Sequence, residues 1–180
     1  MSLILLDTCA VIGFLEMHVW GRIIKAHEIY VPSSVIRETK YYPEGGRKVE
    51  IDLTRYSRTG SIKEISISSD MVRSVLSRFD PVLGPSLGIG ELEAIAALVH
   101  SKVSPETRIC TADKAGVKAL ALLLLVDRGI SIEEVLDISG LRRPVKYAYS
   151  RKAFEKARQE GVEMLVQGRG LAQSPDLTKL

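Results

Sequence analysis

Four acidic residues stand where a strand or a loop gives way to a helix: Asp7, Glu38, Glu91 and Asp113. Carboxylates that converge on one place repel one another unless a cation neutralises them. Oxygen ligands alone, without histidine or cysteine at metal-ligand spacing, favour a hard ion such as Mg²⁺ or Mn²⁺. A site of this kind suits phosphodiester hydrolysis, because the ion activates water, orients the phosphate and stabilises charge that develops on oxygen.

The elements that must position these acids alternate between short strands and helices. Strand patterns occur at 3–6, 28–31, 62–67, 108–111 and near Ile130. Helices are predicted at 9–15, 17–26, 70–79, 91–99, 114–126 and 132–137, and a further helix is predicted to begin at 33, with 35–38 in its first turns. This alternation predicts an α/β domain with a mostly parallel sheet. Ligands bind at the carboxyl ends of parallel strands, so acids that follow these strands are expected to converge there.

Two stretches carry breaker residues instead of a periodic pattern. Residues 41–46, which include a proline and the pair Gly45-Gly46, are expected to end the helix that reaches Glu38. Residues 47–61 are polar and ambiguous. Residues 81–90 contain two prolines and three glycines and are predicted to form a loop.

Four short motifs follow one another along the chain. They are LLDTCAVI at 5–12, VPSSVIRE at 31–38, GELEAIA at 90–96 and ICTADK at 109–114. In this order they resemble the motifs of the PIN-domain nucleases, in the branch whose third motif has a Gly-Glu signature. The resemblance covers about residues 1–138, and it is more specific than any one of the four motifs.

The resemblance implies a three-layer α/β/α PIN-like domain over residues 1–140 with the activity of a metal-dependent endoribonuclease. It also implies that the four acids hold one or two Mg²⁺ or Mn²⁺ ions and that Thr111 orients an acid or a water molecule. PIN proteins are often the toxin of a toxin–antitoxin pair and are commonly dimeric. RNA, an antitoxin protein and a second copy of the chain are therefore the partners that the resemblance implies.

The sequence departs from this family at two points and leaves one assignment open. Many relatives carry a further acid shortly after the fourth motif, where this chain has the apolar and small residues of 115–117. The extension beyond residue 140 also lies outside the usual core of the family. Both departures motivate an alternative, a catalytically degenerate PIN scaffold that binds RNA or a protein partner. Glu91 and Glu93 compete as the third acid, because residues two apart lie about 200° apart around a helix. Glu91 is favoured because it begins the helix after the loop.

Other chemistries find less support in the residues. Cys9 and Cys110 are too few for a disulfide scaffold. The three histidines fall in no recognised motif, so both cysteines are interpreted as small packing residues. Position 9 also breaks the Asp-x-Asp pattern of phosphatases with an aspartate nucleophile. The sequence has no Walker loop and no dinucleotide fingerprint.

Charge divides the chain into two parts. The formal net charge of the 180 residues is only +3, which argues against binding nucleic acid by bulk positive charge. Residues 1–140 carry 16 basic and 18 acidic side chains, whereas residues 141–180 carry 9 and 4. This basic extension is predicted to hold one helix over 150–166, with apolar positions Phe154, Ala157, Val162 and Leu165, and then a loose end over 168–180.

The extension has two interpretations. Its cations could contact RNA phosphates while Tyr147 and Tyr149 stack on bases. Alternatively, its helix packs on the domain or on a partner subunit, which the interspersed glutamates favour.

The longest apolar run of the chain is eight residues, at 119–126, far below the ~20 that span a bilayer. No signal peptide pattern is present, so a soluble, cytoplasmic protein without membrane contacts is expected.

Overall fold

The computed structural model describes residues 1–173 of the chain. The strands in this part are β1 Leu3–Leu6, β2 Glu28–Pro32, β3 Tyr41–Glu44, β4 Arg47–Glu50, β5 Lys63–Ile65, β6 Arg108–Cys110 and β7 Gly129–Ile130. The helices are α1 Thr8–Glu16, α2 Trp20–Ala26, α3 Ser33–Glu38, α4 Leu53–Arg58, α5 Ser69–Leu76, α6 Ile89–Val99, α7 Lys114–Leu122, α8 Ile132–Ile138 and α9 Arg151–Val166.

Five strands form the central sheet in the order β5-β2-β1-β6-β7. Each of the pairings in this sheet is parallel. The predicted α/β class with a parallel sheet is therefore confirmed.

Helices cover both faces of the sheet. Within β1, Ile4 and Leu6 belong to a core shared with α1, α2, α3, α4 and α8, whereas Leu5 belongs to a core shared with α5, α6 and α7. All three side chains are fully buried. A strand buried on both faces has no polar side to alternate with, which explains the unbroken apolar run. The arrangement is consistent with three α/β/α layers.

The strand order reverses between β1 and β6, so that strands are added on one side of β1 first and on the other side afterwards. From β1 the chain runs outward to β2 and β5 with its helices on one face, and then crosses to β6 and β7 with α5, α6 and α7 on the other face. A sheet of this topology opens a crevice at the carboxyl ends of the two strands beside the reversal. Asp7 and Thr111 directly follow those two strand ends.

An antiparallel hairpin of β3 and β4 lies where the sequence predicted only a helix terminator and an ambiguous polar stretch. Gly45 and Gly46 both have positive φ, 55° and 78°, as a two-residue type I′ turn requires. Tyr42 packs against the core beside the turn. The Gly-Gly pair was therefore a hairpin signal, and the interpretation of 41–46 as a terminator was incomplete.

Several predicted helix boundaries were wrong. Helix α7 ends at Leu122 and does not continue to Val126, because Leu124 adopts a φ of 58° that breaks the helix. Helix α6 begins at Ile89, inside the predicted loop, which places Glu91 in its first turn. Glu38 was expected early in its helix, but α3 is only six residues long and Glu38 is its last residue.

The C-terminal helix α9 was predicted correctly in extent and packs on α7. Phe154 and Ala157 are buried as expected, but Val162 is 41% exposed. The neighbouring Gly161 occupies the contact instead, because the helical repeat brings 154, 157 and 161 to one face. Leu165 packs as a partly buried residue against the core that contains α7.

The residues after α9 are docked as far as the structure describes them. The Gly170 N–H donates to Asp80 Oδ2 at 3.0 Å, and Leu171 forms a β-bridge with Phe79. The predicted loose end is therefore wrong for 168–172, and 174–180 lie outside the described residues. No helix in residues 1–173 combines the length and apolar character needed to cross a bilayer.

Two helical glycines give a matched test of the contact between α7 and α9. A Cβ on Gly161 would lie 2.8 Å from Ala121 Cβ and 2.9 Å from Lys118 Cα, whereas a Cβ on Gly21 would meet no atom within 4 Å. Gly161→Ala is expected to lower the free energy of unfolding by about 1–3 kcal/mol through overpacking. Gly21→Ala is expected to raise it by about 0.5–1 kcal/mol through helix propensity.

Urea denaturation of both variants beside the wild type measures the two changes. Equal stabilisation by both substitutions would show that α9 does not lie this close to α7.

Candidate metal centre

Asp7 begins the site by capping the helix that follows β1. Its Oδ1 accepts a hydrogen bond from the Ala10 N–H at 2.7 Å, which satisfies one of the N–H groups left open at the start of α1. Because Asp7 follows the central strand, its side chain is fully buried at the carboxyl ends of the strands. The requirement for a capping residue therefore explains an aspartate here, but it uses only one carboxylate oxygen.

The second oxygen, Asp7 Oδ2, is buried and has no hydrogen-bond partner among residues 1–173. Burial raises the pKa of Asp7 from 3.8 to about 7, although the nearby Thr111 hydroxyl and the Ala10 N–H lower it. The charges of Glu91 and Asp113 raise it further. A buried carboxylate oxygen without a partner is costly, and a bound cation would remove that cost.

Glu91 lies beside Asp7 although 84 positions separate them in the chain. One carboxylate oxygen from each residue and Cys9 Sγ all lie within 4.8 Å of one another. Burial and the charge of Asp113 raise the pKa of Glu91, with a smaller effect from Glu38. Gly88 makes room for this side chain, since a Cβ there would overlap the Glu91 carboxylate.

Asp113 follows the neighbouring strand and caps the next helix, as Asp7 does. It caps α7 by accepting the Gly116 N–H at Oδ1, at 3.0 Å, and its own N–H donates to Thr111 Oγ1 at 3.0 Å. A Cβ on Gly116 would lie 3.5 Å from both Glu91 Cγ and Thr111 Oγ1. The start of α7 therefore lies against Glu91, and Thr111 orients the backbone that carries Asp113.

Glu38 stands apart from the other three acids. It is exposed at the last position of α3, and, like Asp113, it lies outside the group within 4.8 Å, which consists of Asp7, Cys9 and Glu91. Its charge is close enough to raise the pKa of Glu91. The structure therefore brings the carboxylates of Asp7 and Glu91 together with the Cys9 sulfur, places Asp113 close enough for its charge to raise the pKa of both acids, and leaves Glu38 at the exposed rim.

The two glutamates that competed for the third acid have separate surroundings. Glu93 is buried and its Oε2 accepts hydrogen bonds from the Ser34 N–H at 3.1 Å and the Ser34 hydroxyl at 2.7 Å. Its carboxylate thus ties α6 to the start of α3. Glu91 has the position beside Asp7 that the site requires.

Substitutions at these two positions are expected to give opposite results. Glu91→Gln removes a charge from the cluster and should weaken Mn²⁺ binding by at least about tenfold, with the fold retained. Glu93→Ala leaves the Ser34 N–H unsatisfied and should lower the free energy of unfolding by about 1–3 kcal/mol. It should leave Mn²⁺ affinity unchanged.

Calorimetric Mn²⁺ titration and urea denaturation of both variants separate these effects. Weaker Mn²⁺ binding in Glu93→Ala than in Glu91→Gln would show that Glu93, and not Glu91, is the third acid of the metal site.

Cys9 is the member of this cluster that sequence reasoning missed. It was assigned to packing, yet its sulfur lies with the carboxylates of Asp7 and Glu91. Burial and the charges of Asp7, Glu91 and Asp113 raise the pKa of Cys9 to about 12. Its position two residues after Asp7, in the first turn of a helix, was the only signal in the sequence.

The basic extension lies next to the site and makes many of its contacts with acids of the domain. Lys146 Nζ and the Tyr149 hydroxyl reach Glu16 Oε2 at 2.6 and 3.0 Å. Arg151 pairs with Asp137 at 3.2 Å. These contacts favour the packing interpretation for the cations involved. A small cavity separates the residues around Asp113 from Ala148, Ala153, Phe154 and Ala157.

Comparison of the chain with protein-family models, with curated proteins and with solved structures finds no match. The chemistry of the site therefore has to be argued from its own residues. Those residues are three converging carboxylates, a thiol and a hydroxyl, at the carboxyl ends of two adjacent parallel strands.

Proposed function

We propose that the chain is a metal-dependent endoribonuclease of PIN type, with Mg²⁺ or Mn²⁺ held by Asp7, Glu91 and Asp113 and with Glu38 at the rim. The observation that carries this proposal is the buried Asp7 Oδ2, which lacks a hydrogen-bond partner within residues 1–173. Helices on both faces of a parallel sheet support the PIN-like three-layer fold that the four motifs imply.

The arrangement of these carboxylates is better explained by a bound cation than by a polar site without a ligand. The charges of Glu91 and Asp113 raise the pKa of Asp7, and the charge of Asp113 also raises the pKa of Glu91. Asp7 and Asp113 each use one oxygen as a helix cap, which holds the carboxylate in place. Preformed oxygen ligands of this kind suit a hard divalent ion. Such an ion, when bound, would act as a Lewis acid on a phosphodiester and lower the pKa of water.

The acids differ in burial, and this difference defines the side from which a substrate can enter the site. Asp7 is fully buried, Asp113 is half-buried and Glu38 is exposed. An RNA phosphate therefore approaches from the side of Glu38 and Asp113, while Asp7 anchors the site from below. Arg37 and Lys114 adjoin these two acids in the chain and are exposed, so they are available to neighbouring phosphates.

The experiment that tests the proposal is cleavage of a labelled single-stranded RNA oligonucleotide by the purified protein. Cleavage is expected with Mg²⁺ or Mn²⁺ and not in EDTA, as read on a denaturing gel. A DNA oligonucleotide of the same sequence is the control and is expected to stay intact. Absence of RNA cleavage with both ions would overturn the proposal.

The alternative, a degenerate scaffold, would give a different set of results. It requires saturable RNA or protein binding with no heat of Mn²⁺ binding in a calorimetric titration. An antitoxin partner and a homodimer stay predictions of the resemblance.

A further inference from the structure

Cys9 places a sulfur atom among the carboxylates of the candidate site. It lies in the first turn of α1 and is half-buried. Its Sγ is within 4.8 Å of a carboxylate oxygen of Asp7 and of one of Glu91. The other cysteine, Cys110, is fully buried in β6 and does not belong to this group.

A second observation points to a ligand at the same place. Asp7 is fully buried, and its Oδ2 has no hydrogen-bond partner in the described part of the chain. The unsatisfied oxygen therefore belongs to Asp7, a residue that also places a carboxylate oxygen within 4.8 Å of the Cys9 sulfur, and packing alone does not explain it.

We propose that Cys9 is a ligand in this site, so that the site binds thiophilic divalent ions such as Zn²⁺ and Cd²⁺ in preference to Mg²⁺. This inference rests on the metal site of the proposed function and adds the class of ion. Carboxylates alone suit Mg²⁺ and Mn²⁺, whereas a thiolate selects softer ions. A sulfur ligand beside the carboxylates thus shifts the preference towards zinc-like ions.

The binding step exchanges a proton for the metal. The S–H bond of Cys9 breaks, a sulfur–metal bond forms, and the proton leaves to solvent, so no oxidation state changes.

Cd²⁺ titration followed by ultraviolet absorption tests this inference, because a sulfur–cadmium bond gives a charge-transfer band. The wild type is expected to show the band with saturation at one equivalent. Cys9→Ser should lose the band and bind Cd²⁺ at least about tenfold more weakly, since even loss of an outer-shell partner costs about 10–100-fold. The matched control Cys110→Ala is expected to retain both the band and the affinity.

Alkylation of the wild type with iodoacetamide provides a test that needs no variant. Peptide mass spectrometry should show that Cd²⁺ protects Cys9, whereas an equal concentration of Mg²⁺ does not. If the wild type shows no band, or if Cys9→Ser retains it, the inference is wrong. Equal protection by Mg²⁺ and Cd²⁺ would also overturn the stated preference.

The outcome for Cys9 can be separated from the outcome for the proposed function. RNA cleavage with Mn²⁺ but no cadmium band would contradict the role of Cys9 and leave the nuclease proposal intact. A cadmium band that requires Cys9, without RNA cleavage under any ion, would contradict the nuclease proposal and leave the role of Cys9 intact.

Discussion

Asp7→Asn is expected to lower the rate of metal-dependent RNA cleavage at least about 100-fold, while the protein stays folded. Asparagine keeps an acceptor oxygen for the Ala10 N–H, and it is as good a helix cap as aspartate. It removes the charge that a divalent ion requires at the buried end of the site. The measurement is the rate of RNA cleavage with Mn²⁺, beside a calorimetric Mn²⁺ titration.

Asp52→Asn is the matched control for this variant. Asp52 caps α4 in the same way, by accepting the Thr54 N–H at Oδ1 at 3.0 Å, but it lies outside the metal centre. Its variant is expected to cleave RNA at the wild-type rate. Full activity of Asp7→Asn would show that the buried carboxylate takes no part in catalysis.

The metal-free protein is expected to lose stability as the pH rises from about 4 to about 7. Burial raises the pKa of Asp7 from 3.8 to about 7. Below about pH 4 the carboxyl is protonated in both the folded and the unfolded chain, so its burial has no ionisation cost. Above that pH the unfolded chain releases the proton while the folded protein retains it, so the unfolded state gains relative stability up to about pH 7.

The expected size of this effect is large, up to about 4 kcal/mol in the free energy of unfolding. Asp7→Asn lacks the titrating group and should not show this loss. The stability difference between the variant and the wild type should therefore grow from about pH 4 to pH 7 and stay constant above pH 7. Urea denaturation in EDTA across this range measures the difference.

Metal provides an internal check on the same prediction. At pH 7, Mn²⁺ at about 100 times its dissociation constant should raise the stability of the wild type by about 2.7 kcal/mol. The variant should respond little. Parallel pH profiles of the wild type and Asp7→Asn in EDTA would contradict the raised pKa, whatever the result of the cleavage assay.

Local sequence patterns were sufficient to predict much of the fold. The apolar run 3–6 predicted a strand buried on both faces, and the side chains of residues 4–6 are fully buried. Helices were predicted to begin at 9 and at 114, and α1 and α7 begin at Thr8 and Lys114. These features depend on neighbours in the chain, namely the need to cap a helix and the absence of a polar strand face.

Predictions failed where the conformation of a few residues or their distant contacts decided the outcome. The positive φ of Leu124 ends α7 early, although leucine gives no such signal in sequence. The closeness of α9 to α7 requires glycine at 161, whereas the apolar pattern favoured Val162. Both outcomes depend on packing between elements that are remote in the chain.

The sequence by itself determined that acids follow strand ends in an α/β chain, because side-chain type and periodicity are local properties. Only the tertiary structure decided that Asp7, Glu91 and Asp113 converge, that Glu93 bonds Ser34, and that Glu38 stays at the rim. It also decided that the sulfur of Cys9 joins the acids. Convergence depends on strand order and helix rotation, and burial depends on every element packed around the site, so neither is encoded in the spacing of any single motif.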